Sequence, residues 1–268
     1  MPAEPSRTGV VIGLAATAGA VLLLVLASRN PVNAGDHAAE QTRRCLAAAP
    51  GVEQLEVHGT SVLPFTADVR VHLVLEPSAT RAETRDALRR VITCDDGAHS
   101  RWFDIEQVVG GTTTVFDVDA YGWADDDLLA RRDAVTDLMG AGTLTISPGE
   151  RPVDGAGSRR LVDLDVVLPA GTDPLPFVQA VRALASDDLA HGDVRAASDL
   201  GMVRTEAGSE QAVAALVAVE AAGVDVTDAD LTATTAWLSV PAADVERAGA
   251  VARAATPGTE VEVVAAAG

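Results

Sequence analysis

Apolar and polar positions alternate along much of this chain, in runs that stop at proline. Val69, Val71, Leu73 and Leu75 share one side of a strand, with Arg70 and His72 on the other, and the run ends at Pro77. Val162, Leu164, Val166 and Leu168 alternate with Asp163 and Asp165 and end at Pro169. The run 235–240 ends at Pro241. Proline has no amide hydrogen for a ladder, so it closes each strand before the next element begins. Further strands are expected over 52–57, 102–109, 112–119, 143–147, 224–231 and 259–265, with weak strand over 192–206. Gly110-Gly111 supplies a tight hairpin turn, and residues 147–158 read as a long polar loop.

Between these runs the period changes to that of a helix. Residues 37–49 form a short alanine-rich helix that stops at Pro50-Gly51. Thr80 and Glu83 make a capping box for a helix reaching Cys94, with Leu88, Val91 and Ile92 on its inner face. Leu128, Val135, Leu138 and Met139 mark a helix that starts near Asp125. Asp173 and Pro174 begin the next, Ser209 is expected to cap one running through Ala222, and the last covers 244–255.

The order helix–strand–strand–helix–strand thus occurs three times. The first strand of each unit follows a glycine: Gly51, Gly142 and Gly223. The expected fold is α+β, with three small modules at 37–122, 123–206 and 207–268, each a mainly antiparallel sheet with two helices on one face. This element order resembles the BON module of bacterial envelope proteins. The glycine-centred strand motif of that module does not occur here, so nothing of its function is carried over.

Ahead of the modules lies a tail, 1–8, an uncharged apolar stretch, 9–28, and a linker, 29–36. As a helix the stretch would span roughly 30 Å, the thickness of a bilayer's hydrocarbon core. It is longer than the apolar core of a signal peptide, which favours an uncleaved anchor in the lipid bilayer. The alternative is a signal peptide cleaved after Val32-Asn33-Ala34. Gly9, Gly13 and Thr17 recur at four-residue spacing and offer a face for helix dimerisation, hence self-association.

Composition narrows the partners. The 268 residues carry a net charge of −19, and the 20 basic residues are all arginine. That balance argues against nucleic acid, where each phosphate contact needs a cation. Aromatic residues make up 3% of the chain, so its core is built from Ala, Val and Leu. The alanine-, valine- and arginine-rich usage has a bacterial look.

The chain's 2 cysteines, Cys45 and Cys94, fall in the two helices of the first module, where a shared sheet face can bring them together. In an oxidising compartment a disulfide closing that loop of about 50 residues is worth about 3–4 kcal/mol. No CxxC spacing exists, and none of His37, His58, His72, His99 or His191 pairs at helical spacing, so no metal or cofactor is expected. Asp117 and Asp119 imitate the start of a calcium loop, but Leu128 stands where its bidentate glutamate belongs. Arg151, Arg159 and Arg160 flank a glycine-rich loop as a weak anion site. Trp237 alternates with Leu238, so one of the two faces away from the core. An outward tryptophan is a binding-surface candidate.

No nucleophile elbow, phosphate loop, dinucleotide fingerprint or paired carboxylate motif appears, so no catalytic residue is assigned. The expectation is a non-catalytic interaction or scaffold module, anchored in the bacterial cell membrane by one pass with its body outside. The alternatives are a secreted or anchored hydrolase with dispersed residues, and a tethered cytoplasmic regulator.

Overall fold

The computed structural model describes residues 34–63, 66–94, 100–118, 123–153, 157–184 and 190–266. Helix α1 (Ala34–Leu46) leads into β1 (Val52–Leu63) and β2 (Thr66–Leu75). Helix α2 (Arg81–Thr93) leads into β3 (Ser100–Val109) and β4 (Thr112–Phe116), and α3 (Asp126–Met139) into β5 (Gly142–Val153) and β6 (Gly157–Val167). Helix α4 (Pro174–Arg182) leads into β7 (Ala190–Ser198) and β8 (Gly201–Thr205), and α5 (Glu210–Ala221) into β9 (Asp228–Leu231) and β10 (Thr235–Val240). Helix α6 (Val245–Ala255) precedes the last strand, β11 (Glu260–Ala265).

All eleven strands belong to one sheet, and they lie in it in chain order. Each hairpin pairs antiparallel: β1 with β2, β3 with β4, β5 with β6, β7 with β8, β9 with β10. Each helix then carries the chain across to a strand parallel to the one before it. A parallel neighbour needs such a crossover, because a tight turn can only reverse direction. The repeating unit is therefore helix–strand–strand, met five times and followed by a helix and one strand.

Two features of the expected fold are corrected by this arrangement. The three separate, mainly antiparallel modules become one mixed sheet, with antiparallel and parallel pairs alternating along it. The sheets join because each unit ends on a strand with unpaired N–H and C=O groups. The next helix delivers a partner to that edge, and pairing satisfies both. The N-terminal transmembrane helix is not supported: among the described residues no helix is long and apolar enough to cross a membrane. The stretch 9–28, with Gly9, Gly13 and Thr17, lies outside the described residues.

The register shows why one sheet face carries the helices. Leu55, Leu73, Ile105, Phe116, Ile146, Leu164, Val194, Thr205, Leu231, Ala236 and Val261 stand side by side across all the strands. All but the edge residues Leu55 and Val261 are buried, and those two pack against the same core. The helices meet this row with Leu46, Leu88, Leu128, Val178, Leu216 and Ala248.

Local rules position the helix starts. Thr80 accepts a hydrogen bond from the Glu83 amide at 3.3 Å, while the Glu83 carboxylate accepts from the Thr80 amide at 2.8 Å. The Thr80 amide and then the Thr80 hydroxyl, both donating to the Glu83 carboxylate, hold it below its ordinary range. Asp125 caps α3 and Asp173 caps α4. Ser209 departs from expectation: its hydroxyl donates to the Glu206 carbonyl at 2.7 Å and makes no cap bond to α5. The expected polar loop 147–158 is also corrected. Residues 147–153 and 157–158 belong to the outer arms of the β5–β6 hairpin, with Pro148 beside Val162 and Pro152 beside Ser158. Pairing of β5 with β4 stops at Ile146, so these prolines lie where the strand has lost its other neighbour.

At the first edge of the sheet, α1 packs onto β1 through two glycines. A methyl group on Gly59 would overlap the Gly35 carbonyl. Arg43 of α1 donates to the Val57 carbonyl at 3.1 Å and so occupies an acceptor of this edge strand.

A core on one face only makes a sharp prediction. Leu164 is 2% exposed and Val167, on the opposite face of the same strand, 53%. Leu164→Ala is expected to cost about 2–5 kcal/mol in urea unfolding, and Val167→Ala about 0.5 kcal/mol or less. Equal losses at the two positions would contradict the two-layer arrangement.

Candidate functional site

The face away from the helices carries its own continuous row. Gln54, Val74, Glu106, Val115, Thr145, Asp165, Arg195, Arg204, Asp230, Trp237 and Glu262 stand in register from β1 to β11. The arginines are tied across neighbouring strands. Arg195 meets Asp165 at 2.9 Å. Arg204 meets Asp193 at 2.9 Å, Glu206 at 3.3 Å and Asp230 at 3.7 Å. These pairs are half exposed, so each adds little stability. Together they hold the guanidinium groups on the sheet and fix a pattern of charge.

Trp237 lies on this face between Asp230 and Glu262, while Leu238 is buried under the helices. A second tryptophan, Trp102, aligns with Arg70 and His58 at the other end of the face and is 52% exposed. Trp102 went unnoticed in the sequence. Its alternation with the buried Phe103 was the available signal. Trp123 has a different role: its indole Nε1 donates to the Gly149 carbonyl at 3.2 Å, and Arg160 stacks 3.7 Å from the ring centre. Arg160 also hydrogen-bonds the Asp125 carboxylate. That guanidinium is thus engaged, and the side chains of Arg151 and Arg159 lie outside the described residues.

Cys45, in α1, and Cys94, at the C-terminal cap of α2, form a disulfide pair with Cα atoms 6.1 Å apart. The link ties the edge helix to its neighbour. Of the calcium-like run, Asp117 accepts a hydrogen bond from Ser147 at 3.2 Å, and Asp119 lies outside the described residues. Among the described residues no three of His, Cys, Asp and Glu converge closely enough to hold a metal ion.

The helix layer opens beside α4. Helix α4 has 9 residues, the fewest of the α-helices among the described residues, and a cavity of about 460 Å³ opens where its start, the end of α5 and the start of β8 meet. Leu175, Val203, Leu216 and Val224 line it with buried apolar surface. Asp173, Glu220 and Asp225 bring three carboxylates to it. Burial raises the proton affinity of Glu220, and the negative charges of Asp173 and Asp225 raise it further. Comparison with protein-family models, with curated proteins and with solved structures returned no match.

Two measurements test these environments. Replacing both Cys45 and Cys94 by serine is expected to lower stability by about 3–4 kcal/mol. Thiol labelling of the unreduced, unfolded protein is expected to find no reactive cysteine. The folded chain holds the Glu220 proton more tightly than the unfolded chain, so the native state loses stability as pH rises above the ordinary carboxylate range. Glu220→Gln is therefore expected to raise the melting temperature at pH about 7, with the gain vanishing at pH about 3, where both states hold the proton. An unchanged or lower melting temperature at neutral pH would remove the physical picture of this residue.

Proposed function

We propose that this protein is a non-catalytic interaction module and that the open face of its sheet is the platform on which a partner protein docks. The carrying observation is the in-register row from Gln54 to Glu262, which runs across eleven strands. At about 4.8 Å per strand such a face is roughly 50 Å wide, ample for a standard protein interface. Its cross-strand ion pairs keep the charge pattern in place before a partner arrives, which limits the ordering cost of binding. Trp102 and Trp237 supply large, rigid side chains of the kind that anchor interfaces. The net charge of −19 disfavours nucleic acid as the partner. The proposal also assigns the body to an oxidising, extracytoplasmic compartment, and the disulfide pair Cys45–Cys94 supports this.

The test compares the two faces. A photo-crosslinking amino acid at Val167 reports on the open face, and one at Val217, on α5, reports on the helix layer. Both positions are exposed. In cells producing the full chain, a discrete adduct is expected from Val167 and not from Val217. Adducts from Val217 alone, or equally from both, would overturn the reading.

The hydrolase alternative has one foothold, the carboxylates around the cavity. A carboxyl of raised proton affinity beside an ionised one is the pairing that glycoside hydrolysis uses. The cavity lining contains no Ser, Cys or His, and its one hydroxyl residue, Thr227, donates to the Ser239 carbonyl, so the carboxylates would have to do the chemistry. Turnover of aryl glycosides that disappears in Glu220→Gln would replace the interaction reading with this one.

A further inference from the structure

The cavity in the helix layer has a composition that selects its occupant. Its floor is greasy: Leu175, Val203, Leu216 and Val224 are buried there, and Leu200 stands 53% exposed at its lining. Around that floor sit Asp173, Glu220 and Asp225. Asp173 is held by the α4 cap, its Oδ1 accepting from the Leu175 amide at 2.9 Å. The neighbouring arginines are committed elsewhere, Arg182 to Glu210 at 3.3 Å and Arg247 to the Ala222 carbonyl. Elsewhere in the molecule carboxylates meet arginines, as at Asp165, Asp193 and Asp126. Here three negative groups surround an apolar space and repel one another.

We propose that this cavity binds an organic cation: an alkyl stem on the apolar floor, ending in a guanidinium or ammonium head among Asp173, Glu220 and Asp225. Charge complementarity decides the class. A neutral or anionic guest would leave the carboxylates uncompensated while taking water from them, which costs more than the apolar contact returns. A bare metal ion is excluded by geometry, since the carboxylates do not converge closely enough to ligate one. The volume, about 460 Å³, falls in the range of small-ligand sites. The cation also relieves the repulsion that raises the Glu220 proton affinity. The site lies in the helix layer, away from the sheet face assigned to partner docking, so either assignment can fail without the other.

The experiment is calorimetric titration of the full chain with n-butylguanidinium, with its neutral analogue n-butylurea, and with a pentapeptide Gly-Gly-Arg-Gly-Gly. The expected Kd for the cation is about 0.1–1 mM, as suits a ligand of so few atoms. Butylurea is expected to bind at least about tenfold more weakly. Glu220→Gln and, separately, Asp225→Asn are each expected to weaken the cation by about tenfold, and circular dichroism checks that both variants fold. Binding is expected to fade as pH falls and Glu220 takes up its proton. Tighter binding of the peptide than of butylguanidinium identifies an arginine side chain of a partner as the guest. The reverse identifies a free amine or guanidine. Equal affinity for butylurea, unchanged affinity in both variants, or no binding of either cation overturns the proposal.

Discussion

The structure depends on one requirement: no unit may leave its sheet edge unpaired. A helix followed by a hairpin buries only one face of two strands, and two strands are too few to stand alone in water. Each unit solves this by offering its second strand to the next unit, and the intervening helix delivers the next strand in parallel. Main-chain pairing thus converts a string of weak units into a single sheet. The apolar row from Leu55 to Val261 is what that pairing aligns. A one-residue slip in any pair would turn a buried leucine or valine to water, so register and core enforce each other.

The aromatic-poor composition fits this plan. With few large side chains, the core is a thin layer of Val, Leu and Ala between helices and sheet. Alanines such as Ala87, Ala212, Ala215 and Ala252 let the helices sit close to it. The closest approach is at the first edge, where Gly35 meets Gly59 and a side chain would not fit. That contact, the Arg43 bond to Val57 and the Cys45–Cys94 pair all act on α1. The edge is also where the sheet has a neighbour on one side only. Three separate devices thus hold α1 at this end, and Arg43 takes up one acceptor of a ladder that an edge strand otherwise offers to another chain.

The elements were legible from the sequence because each carries its own local signal. Alternation marked β2 and β6, the Thr80–Glu83 box marked α2, and Asp173-Pro174 marked α4. The order of elements was legible in part: 192–206, read as one weak strand, is the β7–β8 hairpin, so the unit that repeats is helix–strand–strand rather than the longer one expected. The joining of the units was not, because a parallel pair between strands such as β4 and β5 leaves no local trace. Their partners meet only after a helix intervenes, and the alternating pattern of a strand is the same whichever neighbour it takes. The long hairpin arms of β5 and β6 were hidden by Pro148 and Pro152, residues that signal a loop unless the strand has a free side. Ser209 was hidden by the reverse problem, since a serine before a helix has more than one backbone group to bond. Of the candidate residues, Trp237 was found from its alternation with Leu238. The cavity was out of reach, because Asp173 stands before α4 while Glu220 and Asp225 lie at and after the end of α5, and the three line one space only in the folded layer.

The two proposed surfaces differ in how the chain handles charge. On the open face the arginines are placed where register puts acids beside them. Arg204 alone meets three carboxylates, Asp193 and Asp230 on the two neighbouring strands and Glu206 just past the end of its own. That arrangement satisfies itself and needs no ligand to complete it. Around the cavity the opposite holds: Glu220 is half-buried, faces two other acids and pays for it with a raised proton affinity. A glutamine there would fit the same space without the repulsion. On the proposed readings, the open face is a surface for a large partner to cover, whereas the cavity is one that a small positive group would complete.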